Sequence, residues 1–141
     1  MTTTPTTKQP LKVLIDSNGL FVPLQFKIDI FAELERLLGK NFIPVLLSPV
    51  KKELQTLAQQ SSPKTRKDAT FALSLAEKCK YIRIRGKPKE PTDDAILRIA
   101  QQWNAPVLTN DKLLKKRLRD ISVPVIYLRQ KSRLDIDGLI S

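Results

Sequence analysis

Short apolar runs alternate along this chain with longer segments whose apolar residues recur every three or four positions. Leu11 to Ile15 (LKVLI) is a short apolar run ending on Asp16, Ser17 and Asn18, the pattern of a buried strand that delivers polar groups at its carboxyl end. From about Gln25 to Leu38, residues Ile28, Phe31, Leu34 and Leu38 share one stripe and Gly39 follows as a stop, which predicts an amphipathic helix. Phe42 to Leu47 (FIPVLL) predicts a second strand, then a helix capped by Ser48 and opened by Pro49, with Glu53 about one turn in. SSPKTRKD reads as a loop running into a further helix that carries Ala69, Ala72, Leu73 and Ala76 on one face and ends near Cys79 and Lys80. Tyr81 to Ile84 is a brief third strand, and GKPKEP is a turn-rich basic connector. Thr92 can cap a helix from Asp93 to Trp103 that buries Ile96, Ile99, Ala100 and Trp103. Pro106 to Leu108 makes a fourth strand leading into Thr109, Asn110 and Asp111; a basic helix (DKLLKKRLRD) follows, and Pro124 to Leu128 makes the fifth.

Strands and helices alternating at this spacing imply right-handed crossovers and a parallel sheet covered on both faces. The expected fold class is therefore α/β, a three-layer α/β/α sandwich around a central, mostly five-stranded parallel sheet. The 141 residues, 41% of them hydrophobic, suffice for one core and leave no room for two. The domain is expected over residues 11–141. The Thr- and Pro-rich residues 1–10 (MTTTPTTKQP) have too little apolar content to offset the entropy of ordering and are expected to form a flexible tail.

Composition then narrows the chemistry. The chain has no histidine, which removes the usual general base, the Ser/His and Cys/His nucleophile pairs and most zinc sites. Its single cysteine, Cys79, cannot form an internal disulfide and suits a reducing compartment. With no signal peptide and no membrane-spanning apolar run, a cytoplasmic protein without a membrane partner is expected. A formal net charge of +11 favours a polyanionic partner, nucleic acid above all.

Catalysis in such a chain falls to carboxylates, lysines or bound metal. Asp16 and Asp111 directly follow predicted strands, while Glu53 and Asp93 lie in the first turns of helices on the same edge, so all four can meet where such sheets build their sites. Carboxylates crowded together persist if protonated, paired with a cation or neutralised by a divalent ion. Oxygen donors without imidazole or thiolate suit hard cations such as Mg²⁺ or Mn²⁺. Adjacent residues point about 100° apart on a helix. Asp93, which shares the stripe of Ile96 and Ala100, is thus the expected ligand, and Asp94 a lesser neighbour acting through water. Any one of these acids alone reads more readily as a helix cap or a surface charge, and it is four at equivalent topological positions that weaken that reading.

Three basic groups flank the acidic edge in sequence: Lys64, Arg66 and Lys67; Arg83, Arg85, Lys87 and Lys89; and Lys112, Lys115, Lys116, Arg117 and Arg119. Of these, Lys87, Lys89, Lys112, Lys115, Lys116 and Arg119 are the candidate phosphate contacts, against the alternative of solvated faces. Trp103, Tyr81 and Phe71 lie on apolar stripes, which assigns them to core packing rather than base stacking. Other acid-bearing α/β classes fit less well. A receiver domain needs an acidic pair after the first strand and an Asp after the third, where this chain has Arg83 and Arg85. A haloacid-dehalogenase-type nucleophile needs an acid where Asn18 stands, and no Gly-rich phosphate loop is present.

At VLIDSN, IPVLLSPVKKEL, TDDAILRIA and VLTND the chain resembles the PIN domain family, over nearly its whole length from Leu11 to about Leu139. Through KIDIF, NDKLLKKRLRDI and VPVIYL it looks most like the ribosome-biogenesis PIN endonucleases of the small-subunit processome and their archaeal relatives. The resemblance implies Mg²⁺ or Mn²⁺ between Asp16, Glu53, Asp93 and Asp111, with hydrolysis of single-stranded or structured RNA, plausibly precursor rRNA. It also implies that Thr109 and Asn110 shape the turn presenting Asp111 and that Ser17 or Asn18 orients Asp16, although simple turn chemistry explains these four equally well. Two other functions suit the same residues: a toxin ribonuclease neutralised by an antitoxin partner, and a catalytically silent RNA-binding module. A homodimer and a ribonucleoprotein partner are compatible with all of them.

Overall fold

The computed structural model describes residues 9–140, so residues 1–8 of the expected tail lie outside the described residues. Six strands form one sheet: β1 (Leu11–Ile15), β2 (Phe42–Leu47), β3 (Lys80–Ile82), β4 (Val107–Leu108), β5 (Val125–Arg129) and β6 (Arg133–Asp137). Their spatial order is β3-β2-β1-β4-β5-β6. The first five pair in parallel, and β6 is antiparallel to β5. The helices are α1 (Ser17–Phe26), α2 (Ile30–Leu38), α3 (Ser48–Gln60), α4 (Pro63–Ala76), α5 (Thr92–Trp103) and α6 (Lys112–Asp120). No helix among the described residues is long and apolar enough to cross a membrane.

Connections from β1 through β2 to β3 run outward one way, and those from β3 through β4 to β5 run back the other way. With the right-handed crossover such units adopt, the two sets of helices cover opposite faces, giving the α/β sandwich. The central strands are buried on both faces, and Val13, Leu14, Ile15, Val45, Leu47, Val107, Leu108, Val125 and Ile126 form the centre of the core. Strand order reverses between β1 and β4, so the residues after those two strands, Asp16 and Thr109 to Asp111, emerge side by side.

Several elements differ from the sequence expectation. The predicted Gln25–Leu38 helix is the end of α1 plus α2, separated at Lys27, which takes a left-handed conformation and donates its N–H to the Pro23 carbonyl. Asp29 then caps α2 by accepting from Phe31 and Ala32 N–H. Helix α1 was hidden by Gly19 and Pro23, both poor inside helices. Gly19 is there because α1 lies against β4: a Cβ would sit 3.0 Å from Leu108 Cγ and 3.1 Å from its carbonyl oxygen. Helix α4 starts earlier than expected, with Pro63 in its first turn and Ser62 accepting from Thr65 N–H. Neither Ser48 nor Thr92 caps its helix. Leu47 and Pro91 hold the cap positions without side-chain bonds, and the Ser48 hydroxyl instead accepts Ile84 N–H at 3.1 Å.

Strand β3 stops at Ile82, two residues short of the expected end, and β6 has no counterpart among the expected strands. Its hairpin turns through Gln130 and Lys131 at positive φ, in place of the Asn-Gly type of pair that signals such a turn. The aromatic assignment also changes. Phe71 and Tyr81 are 42% and 48% exposed rather than core residues, because the buried face of α4 is built from Ala69, Ala72 and Ala76 and β3 is the sheet's outer strand. Trp103 is half-buried, with the Lys12 ammonium 4.6 Å from its ring centre.

Candidate active site

Asp16 is the first residue beyond β1 and the cap of α1. Its N–H donates to the Leu108 carbonyl at 3.0 Å, which continues the β1–β4 ladder one step past the strand and fixes where the side chain points. That side chain is only 5% exposed, and both its oxygens are held. Ser17 N–H donates to Oδ1 at 2.8 Å, and the Thr109 hydroxyl, wholly buried, donates to Oδ2 at 2.9 Å. The same hydroxyl accepts Asp111 N–H at 3.1 Å, so Thr109 ties the first acid to the backbone of the last. Burial first of all, then repulsion from Asp93 and Glu53, pushes the Asp16 carboxyl up to about 6 against the opposing hydrogen bonds from Thr109 and Ser17.

Glu53, in α3, reaches the site through Ser17, whose hydroxyl donates to Oε1 at 2.6 Å. Asp93 opens α5 with Asp94. Its carboxyl is also raised, by burial first and then by repulsion from Asp111 and Glu53, while the Arg117 guanidinium opposes the shift. Asp111 caps α6, accepting Leu114 N–H on Oδ1 at 3.0 Å. The four expected acids therefore act on one another electrostatically: Asp16 feels Asp93 and Glu53, and Asp93 feels Asp111 and Glu53. They do not close into one cluster. Among the described residues, no three acidic or thiol side chains stand close enough together to hold one ion. The donors nevertheless fit a hard divalent cation in kind, since all are carboxylate oxygens, two of them on acids whose protonation is promoted by burial and mutual repulsion.

The remaining expected site residues separate by place. Asp94 is turned to Arg117, which donates to its Oδ1 at 2.8 Å. Asn18 accepts Asn110 N–H at 3.1 Å, and Asn110 accepts Leu128 N–H at 3.4 Å, so this pair shapes the turn rather than contacting Asp16. Lys87 and Lys89 are exposed on the loop after β3, and Lys112 is exposed at the start of α6 beside Asp111. The other α6 cations are engaged: Lys115 sits 3.9 Å from the Tyr127 ring centre, Lys116 pairs with Asp120, and Arg119 pairs with Asp137 on β6. A groove of about 510 Å³ runs from Glu53 past Ser48 and Lys52 to Ile84, Gly86 and Glu90. Ser48, Lys52 and the partnership of Arg117 with Asp94 were not singled out from sequence. Ser48 stood where a helix cap was expected, and Arg117 lay in a run of like charges with nothing to mark its partner on α5.

Where the strand order reverses, a buried threonine and a serine orient Asp16, and the serine also orients Glu53, in the place where α/β sheets build their functional sites. The chain belongs to the PIN like domain family, which it matches over residues 13–131. It is 35% identical over 130 residues to Ribonuclease VapC4 of Methanocaldococcus jannaschii, a match covering 92% of this chain and 98% of that protein. It is 33% identical over 120 residues to rRNA-processing protein fcf1 of Schizosaccharomyces pombe, covering 83% of this chain and 58% of that protein. Among solved structures, the PIN domain endonuclease Utp24 superposes with a TM-score of 0.77 at 29% identity, covering 95% of this chain and 96% of that one.

Proposed function

We propose that this protein is a metal-dependent endoribonuclease that hydrolyses RNA phosphodiesters, with precursor rRNA as its substrate class. The observation that carries this reading is Asp16: a buried carboxyl with both oxygens held by Ser17 and Thr109, standing in the field of Asp93 and Glu53. A protein does not pay for such a charge to serve as a helix cap alone, since an exposed cap of the same type costs far less to desolvate. Relatives named as ribonucleases and an rRNA-processing protein support the same direction.

Asp16, Glu53, Asp93 and Asp111 are the residues to hold Mg²⁺ or Mn²⁺. When bound, such an ion activates water for attack on the phosphorus and stabilises the departing oxygen. The chain's own contribution is orientation. Thr109 and Ser17 fix the two oxygens of Asp16, the Ser17 hydroxyl sets Glu53, and Arg117 keeps Asp94 turned aside while tempering the repulsion at Asp93. Lys87, Lys89 and Lys112 hold backbone phosphates without reading bases.

Cleavage of an RNA containing single-stranded and hairpin segments tests this, with Mn²⁺, with EDTA, and with Asp16→Asn and Asp93→Asn. Metal-dependent cutting that both substitutions abolish is expected. Binding with no cutting by the intact protein on naked or ribonucleoprotein-assembled RNA would overturn the enzyme in favour of a silent binding module. The alternative of a toxin ribonuclease shares this chemistry and differs in one readout: growth arrest on expression, relieved by an antitoxin partner.

A further inference from the structure

The Glu53 groove does not end at Ser48. A second groove of about 390 Å³, lined by Ser48, Lys51, Lys52, Gln55 and Tyr81, shares Ser48 and Lys52 with the first and continues round the flank of α3. Its floor is aromatic. Tyr81 is 48% exposed, and the mobile Lys51 side chain lays its ammonium over the ring, 4.7 Å from its centre, as a cation that a base would displace. A scattered surface aromatic needs no explanation. Tyr81 differs in lining a groove that joins, through Ser48 and Lys52, the groove holding Glu53.

The wall of this track is built and cationic. Ser48 accepts Ile84 N–H, and Arg98 grips Glu90 with two bonds at 2.9 and 3.0 Å while donating to the Arg85 carbonyl at 3.1 Å, so both ends of the loop after β3 are anchored. That loop displays Arg83, Arg85, Lys87 and Lys89, and α3 adds Lys51 and Lys52. None of these six is in an ion pair among the described residues, and Glu90, the acid beside them, is already matched by Arg98.

We propose that Tyr81 is a stacking platform for an unpaired nucleobase of the RNA strand entering the acidic site, with Lys52 holding the phosphate between the two grooves. This rests on the ribonuclease reading and deepens it. An aromatic face next to a cationic track is the arrangement by which single-stranded nucleic acid is held without base readout, and a paired base cannot offer its face to the ring. Tyr81 is thus a specificity-determining residue for unpaired RNA.

The test measures fluorescence anisotropy of a labelled 12-nucleotide single-stranded RNA and of a blunt RNA duplex in EDTA, where no turnover intervenes. Tyr81→Ala is expected to weaken single-strand binding about tenfold with the duplex and the salt dependence unchanged, while Tyr81→Phe retains wild-type affinity. Lys52→Ala is expected to weaken the single strand and lower the salt slope by about one. Under Mn²⁺, Tyr81→Ala should raise KM with kcat preserved. A wild-type protein that cuts RNA while Tyr81→Ala binds the single strand unchanged, or loses single strand and duplex alike, overturns the platform and leaves the nuclease standing. A wild-type protein that neither binds nor cuts RNA overturns both. Circular dichroism melting of each variant separates these losses from unfolding.

Discussion

Replacing Asp16 by Asn should make the metal-free protein more stable at neutral pH while abolishing cleavage. Burial and the neighbouring acids raise the Asp16 carboxyl from 3.8 to about 6, so the folded state binds its proton more tightly than the unfolded state does. Wild-type stability therefore falls as pH rises from about 4 to about 6 and stays low above that. The loss amounts to about 3 kcal/mol at 1.36 kcal/mol per pH unit. The amide carries no charge and escapes this term. It also has one acceptor oxygen where the carboxylate has two, so either Ser17 N–H or the Thr109 hydroxyl loses its partner, at a cost of about 1–2 kcal/mol. The net gain is about 1–2 kcal/mol at pH 7.5, or roughly 3–8 °C in Tm for a domain of this size. Thermal melts of both proteins in EDTA at pH 4 and pH 7.5 check it. The variant should melt above wild type at pH 7.5 and level with or below it at pH 4. Mn²⁺ at pH 7.5 should raise the wild-type Tm more than the variant's. An Asp16→Asn protein that melts below wild type by the same margin at both pH values would refute the argument that burial strains this charge.

The other predictions concern the frame around that carboxylate. Gly19→Ala should destabilise by about 1–3 kcal/mol in urea unfolding despite the better helix propensity of alanine, because the Leu108 carbonyl that the new methyl meets is backbone and cannot turn away; a more stable variant would contradict the close packing of α1 on β4. Arg117→Gln should shift the acid limb of the kcat/KM profile to higher pH, since it removes the positive charge that opposes the rise of Asp93. An unmoved limb would take Arg117 out of the site. Ser17→Ala should lower kcat with little change in Tm, as it frees Glu53 from its 2.6 Å hydrogen bond at a half-buried position; wild-type kcat would show that Glu53 needs no positioning.

Much of this was readable in the chain, and the failures have physical causes. The central parallel strands announce themselves because their carboxyl-terminal halves, buried on both faces, are continuously apolar, as VLI of β1 and VLL of β2 are. That the four acids lie near one another was readable because each follows a strand or lies early in a helix on one edge. Helix α1 is unreadable because Gly19, which packs against β4, and Pro23 both run against helix propensity. Strand β6 was missed because Gln130 and Lys131 adopt turn angles that glycine and asparagine usually announce. Tyr81 was misassigned because an apolar stripe says which residues share a face and not whether another element covers it.

Helix capping and the proposed site role are compatible for the acids that cap helices. Asp16 caps α1 and Asp111 caps α6, each with one oxygen accepting from the first turn of its helix. Capping is what aims these carboxylates: it sets each at a helix amino end, where the backbone dipole favours negative charge and offsets part of the repulsion among the acids. Asp93 lies in the first turn of α5 and Glu53 about one turn into α3, and the amino ends of these helices follow the loop after β3 and β2 on the same edge. Four helix amino ends thus face one edge of the sheet. A single acid there would be an ordinary cap. Here the strand order reverses at β1 and β4, which brings Asp16 and Thr109 within 2.9 Å and joins two otherwise separate caps through one buried hydroxyl.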